Sequence, residues 1–195
     1  MGPGDLVSLL GRTLGFSFAA GINLYATVAI LGLATHFGWV DLPPQYRVFD
    51  NTWIIGAAIA MYLVEFVADK VPWVDSLWDA IHTVIRPLGG ALIAVATIGH
   101  AQPWVQAVAA LAGAALATST HVAKAGTRAA ANASPEPLSN WALSFAEDGF
   151  VVGLGLLALT HPIAAAVVVI VALVGIVLSV RWLLRGVQRR FARQA

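Results

Sequence analysis

The chain has 195 residues, of which 59% are hydrophobic and 11% charged, with a formal net charge of +1 and a mean hydropathy of +0.80. Soluble domains carry about 25% charged residues, so this composition excludes a soluble globular protein. It leaves room for about five to seven membrane helices of about 20 residues each. The absence of cysteine excludes disulfides, thiolate metal sites, cysteine nucleophiles and thiolate-ligated iron–sulfur clusters.

Six segments read as spans and together predict an all-α, polytopic bundle, with residues 1–195 forming one membrane domain. The first, Leu14 to Phe37, follows a single early base, Arg12, and is too long for a signal-peptide core, so it reads as a retained helix. Asn23 and Tyr25 interrupt it. Gly21 would allow a local break that offers backbone groups to a ligand. The alternative is interhelical hydrogen bonding with close packing at the glycine. Asp41-Leu42-Pro43-Pro44 then begins an external turn.

The second span, Trp53 to Pro72, carries Tyr62, Glu65 and Asp69 on one face. If Trp53 marks the outer interface, Glu65 lies about 18 Å and Asp69 about 24 Å inward, in the inner half of a hydrocarbon layer about 30 Å thick. The third, Ala80 to Gly99, begins inside a run of Asp75, Asp79, His82 and Arg86 at i, i+4, i+7 and i+11. That spacing keeps the four on one helical face. The face reads either as part of a site or as the wet side of an amphipathic connector, with Trp78, Ile81 and Ile85 opposite.

The fourth span, Pro103 to Ala123, leads to a face bearing Thr118, His121, Lys124 and Arg128, with His121 about 25 Å below Trp104. Asn132, Glu136 and Asn140 follow in a polar connection, where Asn132-Ala133-Ser134 is a chance glycosylation sequon on the cytoplasmic side. The fifth, Trp141 to Thr160, places Glu147 and Asp148 about 10 Å above the inner face. The uncharged parts of the third and fifth spans, 87–99 and 149–160, are short. Each must either re-enter or cross by including the charged turn before it. Gly149-Phe-Val-Val-Gly153 is a small-xxx-small stripe for packing within a protomer or between copies of a homo-oligomer. The sixth span, Pro162 to Leu184, runs into a basic cytoplasmic tail, 181–195, suited to anionic lipid rather than nucleic acid.

Aligning Trp53 with Trp104 gives two comparable two-helix units, 53–100 and 104–161, predicting an internal repeat about an axis along the membrane normal. Arg86 precedes His100 by 14 residues, and Glu147 precedes His161 by the same 14. With six crossings and both termini cytoplasmic, ten bases lie inside and only Arg47 outside. This asymmetry favours six crossings with both termini cytoplasmic, and puts His36, His100 and His161 near the external side.

Ionisable groups within lipid-embedded helices are costly and mark a functional site by default. The candidate substrate- or ion-binding residues are Asn23, Glu65, Asp69, Asp79, His82, Arg86, His121, Lys124, Arg128, Glu147 and Asp148, with no catalytic set among them. They are expected to meet in a polar cavity that opens to the cytoplasm beneath an apolar outer cap. The acids offer hard ligands for a divalent cation such as magnesium, and Lys124 and Arg128 suit a phosphate or carboxylate. The distant histidines argue against zinc. These features fit a small transporter, channel-like protein or lipid flippase for an ion or small charged solute. Alternatives are a magnesium-dependent intramembrane enzyme on a lipid or phosphorylated substrate, a membrane scaffold or assembly factor, and ion pairs that only pin the bundle.

Ala-Gly-Ile-Asn-Leu-Tyr, the run Glu65-Phe-Val-Ala-Asp69-Lys-Val-Pro-Trp-Val-Asp75-Ser-Leu-Trp-Asp79, Lys124-Ala-Gly-Thr-Arg128, Ser134-Pro-Glu-Pro and Glu147-Asp148-Gly149 together resemble a bacterial membrane family, the domain of unknown function 4126. The resemblance spans roughly residues 15 to 162. It implies a helical membrane topology and assigns neither a substrate nor a catalytic residue.

Overall fold

In a computed structural model describing residues 2–133 and 137–191, the chain forms α1 (Pro3–Ile22), α2 (Leu24–His36), a 3-10 helix (Pro44–Phe49), α3 (Thr52–Ala68), α4 (Pro72–Ile98), α5 (Pro103–Asn132), α6 (Pro137–Thr160) and α7 (Pro162–Phe191), with no strand among the described residues. Proline is the first residue of α1, α4, α5, α6 and α7, where its missing N–H is no loss and its fixed φ suits a helix. The exceptions are capped by asparagine. Asn23 Oδ1 accepts from Ala26 N at 2.9 Å, and Asn51 Oδ1 accepts from Trp53 N at 2.9 Å and Ile54 N at 3.2 Å.

Gly4–Ile22, Pro72–Ile98, Pro103–Asn132, Leu138–Thr160 and Pro162–Arg185 are each long and apolar enough to cross a bilayer, whereas Leu24–His36 and Thr52–Ala68 are shorter. This is a multi-pass membrane protein. Exposed tryptophans lie near the helix ends, Trp39, Trp53 and Trp104 toward one face and Trp73, Trp141 and Trp182 toward the other. Such belts settle at membrane–water interfaces.

The arrangement differs from the six-span expectation at the first span, which is not a single crossing. Along α6 and the start of α7, Gly11 abuts Pro162, Arg12 Nη2 donates to Leu159 O at 3.2 Å, Gly15 faces Ala158, and Phe18 meets the Phe150 ring. Thus α1 descends to Asn23, whose Nδ2 donates to Asp148 Oδ1 at 3.2 Å. Beyond it the chain climbs again. Ile30 lies against Gly155, Gly32 against Ile55, and His36 Nδ1 bonds Asp50 Oδ1 at 2.8 Å near the start of α3. Gln45, just past α2, donates to Thr97 O at 3.2 Å, while Thr13 of α1 pairs with the Thr97 hydroxyl at 2.9 Å. Both arms therefore open on one face, here called upper, and α1–α2 is a re-entrant hairpin. Extended φ and ψ of −146° and 100° at Asn23 make the reversal.

Helices α3 to α7 then run down, up, down, up and down. α4 and α6 cross by including their charged turns, the second option their sequences left open. The run Asp75, Asp79, His82 and Arg86 is buried, while Leu77, Ile81 and Val84 are exposed, so the wet-connector reading fails. The polar face looks inward and the apolar face meets lipid. At the α4–α5 crossing a Cβ on Gly90 would lie 2.7 Å from Gly113 O, so the two backbones approach without side chains between them. Gly149 and Gly153 have nothing within 4 Å of a built Cβ, so their stripe is not a close contact within this protomer. Ser134, Glu136 and Arg193 lie outside the described residues.

The hairpin puts the first helix and the end of α7 on opposite faces, in place of the expected shared side. Because the chain has no cysteine, single-cysteine labelling in vesicles reads this directly. Gly4→Cys and Arg185→Cys should react with impermeant maleimide from opposite sides. Labelling of both from one side would restore six crossings.

Candidate functional site

Arg86 sits near the middle of α4, twelve residues or about 18 Å from Ile98 and fourteen or about 21 Å from Pro72. A charge at that depth must be paired. Its Nη2 donates to Glu65 Oε1 at 2.6 Å, and both side chains are 0% exposed. The same Glu65 oxygen takes Lys124 Nζ at 3.3 Å, and Lys124 reaches Asp69 Oδ2 at 3.2 Å. Asp69 Oδ2 also accepts from Arg128 Nη2 at 2.9 Å, and Arg128 closes on Glu147 Oε2 at 2.7 Å. Arg86, Glu65, Lys124, Asp69, Arg128 and Glu147 thus form an alternating chain of charges contributed by α3, α4, α5 and α6. Each helix holds its members on one face by turn-spaced positions.

The hairpin tip completes it. Arg86 Nη1 donates to Gly21 O at 3.4 Å and Lys124 Nζ to Ile22 O at 3.2 Å, so two carbonyls released at the end of α1 find cations. A Cβ on Gly21 would collide with Thr120 and Ala117 of α5, and only glycine allows this approach. Asn23 turns the other way, capping α2 while donating to Asp148.

Two histidines are tied in by hydrogen bonds. Because a guanidinium can only donate, His121 Nδ1 accepts from Arg86 Nη1 at 2.8 Å, and its Nε2–H donates to Thr83 Oγ1 at 3.0 Å. His82 Nδ1–H donates to Trp78 O at 2.7 Å, and Nε2 bonds the Tyr25 hydroxyl at 3.0 Å. Six carboxyl groups, Glu65, Asp69, Asp75, Asp79, Glu147 and Asp148, face the lysine and arginine side chains Arg86, Lys124 and Arg128. Lys70, which bonds Ser144 Oγ at 3.2 Å at the rim, would make a fourth.

The surplus falls on particular groups. Asp79 pairs with Arg86 at 3.3 Å, Asp75 accepts from Asn132 Nδ2 at 2.7 Å and stands 3.9 Å from Arg128, and Asp148 has no base within 4.0 Å among the described residues. Among the described residues, no hydrogen-bond donor reaches the buried Glu65 Oε2, Asp69 Oδ1, Asp75 Oδ1 or Asp148 Oδ2. Among the described residues, no three His, Asp or Glu side chains gather as a metal-ligand set.

A family model described as Domain of unknown function (DUF4126) matches residues 10–182. The chain belongs to this family. No curated protein and no solved structure matches it.

In this DUF4126 chain all eleven candidate residues lie within the one cluster. The charges are zipped together, and among the described residues a groove of about 220 Å³ opens between α4 and α5, lined by Asp75, Asp79, Thr83, Arg128 and Asn132. Thr118 does not join the site. It is exposed and bonds its own helix at Ala114 O, while Thr120 points inward to Phe18 O. Thr83 and Asn140, absent from the candidate set, hold His121 and Arg128; Asn140 Oδ1 accepts from Arg128 Nη1 at 2.8 Å. Thr83 lies four residues after Asp79 and three before Arg86, so the stripe already contained it.

Pairing and surplus separate under substitution. Arg86→Gln, which strands Glu65 and Asp79, is expected to cost about 3–5 kcal/mol, read by thermal unfolding in detergent. Asp148→Asn removes an unpaired acid and should leave the midpoint unchanged or raised. Equal losses in both would make Asp148 part of the pairing lattice.

Proposed function

We propose that the protein is a small transporter that carries protons or a small cation through the buried acidic cluster. The observation that carries this reading is the surplus of carboxyl groups beside a broken membrane helix. An interior that already pairs its bases has little structural use for a further buried acid such as Asp148. Discontinuous helices whose ends meet charged groups near the bilayer centre are a recurrent feature of transport sites.

The groove lined by Asp75, Asp79 and Arg128 supplies access from the lower face. Toward the upper face the way is closed by the Thr13–Thr97 pair, by Ser17 on Gly90 O at 3.3 Å, and by the apolar side chains around Phe16 and Leu31. Alternating access then requires the α1–α2 hairpin to shift against α4 and α5. Lys124, ringed by Ile22 O, Glu65, Asp69 and Glu147, occupies the position a transported cation would compete for.

The lower face is read as cytoplasmic in a bacterial inner membrane, because Lys70, Arg181 and Arg185 lie toward it, against Arg12 and Arg47 toward the upper face. The basic end of α7 then rests on anionic lipid. The two-helix repeat and a homo-oligomer through the open Gly149–Gly153 stripe belong to the same reading. Among the described residues no metal-ligand set converges and the charges are buried rather than displayed, so neither the magnesium-enzyme nor the scaffold alternative gains a specific observation.

Purified protein in liposomes should pass protons, read with an internal pH dye under a valinomycin-set potassium potential, or take up labelled sodium. Asp148→Asn and Glu65→Gln should each reduce the flux about tenfold or more. Flux equal to wild type in both variants, or none in wild type for either ion, would remove the proposal.

A further inference from the structure

The bundle is open on one side of its upper half. α4 packs closely on α5 and only lightly on α3, and a cleft of about 650 Å³ lies between α2, α3 and α4, within the range of small-ligand sites. Leu24 and Val28 form its back wall, Ala57 and Leu92 its sides, and Val48 its mouth, with the Tyr25 ring at the deep end. Apart from the Tyr25 hydroxyl, which turns away to His82, no side chain lining it is polar.

What fills such a cleft is constrained by its surroundings. It opens sideways between membrane helices, where acyl chains rather than water lie. Its α3 wall runs from Ile54 to Met61, about 10 Å of helix, and so remains within one leaflet. Arg47 precedes the lining residue Val48 in the chain. Arg47 is exposed, and its guanidinium has no hydrogen-bond or ion-pair partner among the described residues. The exposed Trp53 nearby marks the interfacial level at which a headgroup phosphate sits.

We propose that this cleft binds a diacyl phospholipid of the upper leaflet, with one acyl chain between α3 and α4 and its phosphate on Arg47. An apolar tail and an anionic head in that order match the apolar wall and the free cation at its rim. The chain would lie against Leu24 and Tyr25, the first turn of α2 after the Asn23 reversal. A lipid here therefore braces the upper arm of the hairpin, whatever ion the buried cluster carries.

Native mass spectrometry after release from nanodiscs of phosphatidylethanolamine and phosphatidylglycerol tests this on the full chain. Ala57 and Ala60 are both exposed on α3, and only Ala57 lines the cleft, so tryptophan at either position leaves the core untouched. Wild type should retain one phospholipid. Ala57→Trp should retain about tenfold less, Arg47→Gln several-fold less, and Ala60→Trp as much as wild type. No retained lipid in wild type, a retained molecule lacking phosphate, or wild-type retention in either Ala57→Trp or Arg47→Gln would overturn the assignment. Ion flux is not the readout, so the site stands or falls apart from the transport reading.

Discussion

A peptide backbone cannot break inside a membrane unless the freed polar groups find partners. That constraint governs the reversal at Asn23. Ending α1 in mid-bundle exposes carbonyls, and starting α2 one residue later exposes N–H groups. Arg86 and Lys124 satisfy the carbonyls of Gly21 and Ile22, and Asn23 satisfies the N–H of Ala26. The cations need carboxylates in turn, which α3 and α6 provide as Glu65, Asp69 and Glu147. The hairpin and the charge chain are each too costly alone; together they make one stable arrangement. The negative end of α1 faces bases, and the N-terminus of α2 has Asp148 beside its cap, as helix dipoles favour.

Two populations of acids follow. Glu65, Asp69 and Glu147 are structural in the first instance, because removing any of them strands a base. Asp79 meets Arg86 at 3.3 Å and Asp75 accepts from Asn132, whereas Asp148 has no base within 4.0 Å among the described residues, and burial without a paired base is costly for a carboxylate. A small groove opens beside Asp75 and Asp79. The reading in which ion pairs only pin the bundle accounts for the first population but leaves the second unexplained.

Much of the cluster was legible because charge in an apolar chain is expensive and helical spacing is simple. Asp75, Asp79, His82 and Arg86 announce one face, and depth counted from Trp53 and Trp104 brings Glu65 and His121 close to one level. The reversal was harder to read. From Leu14 to Phe37 apolarity is nearly continuous, and hydropathy does not distinguish a helix that crosses from one that turns back. The local signs were Gly21 and Asn23, whose consequence depends on α5 lying against the glycine. The charge asymmetry says little about the side of the N-terminus, since Arg12 is the only base there and can sit on either face at little cost. Thr118 and Thr120 differ by a small rotation that sequence spacing does not fix. Opposite charges that converge in a low dielectric close on one another, which narrows the space between these helices.

The distance between the two arms of the hairpin tests the central claim most directly. Spin labels at Leu10→Cys and Phe37→Cys, both exposed positions in a cysteine-free chain, would stand about 40 Å apart on one continuous helix. Electron–electron double resonance in nanodiscs should instead give a separation near half that value. A distribution centred at about 40 Å would mean that the first segment crosses the membrane unbroken, and the account of the buried cluster would fall with it.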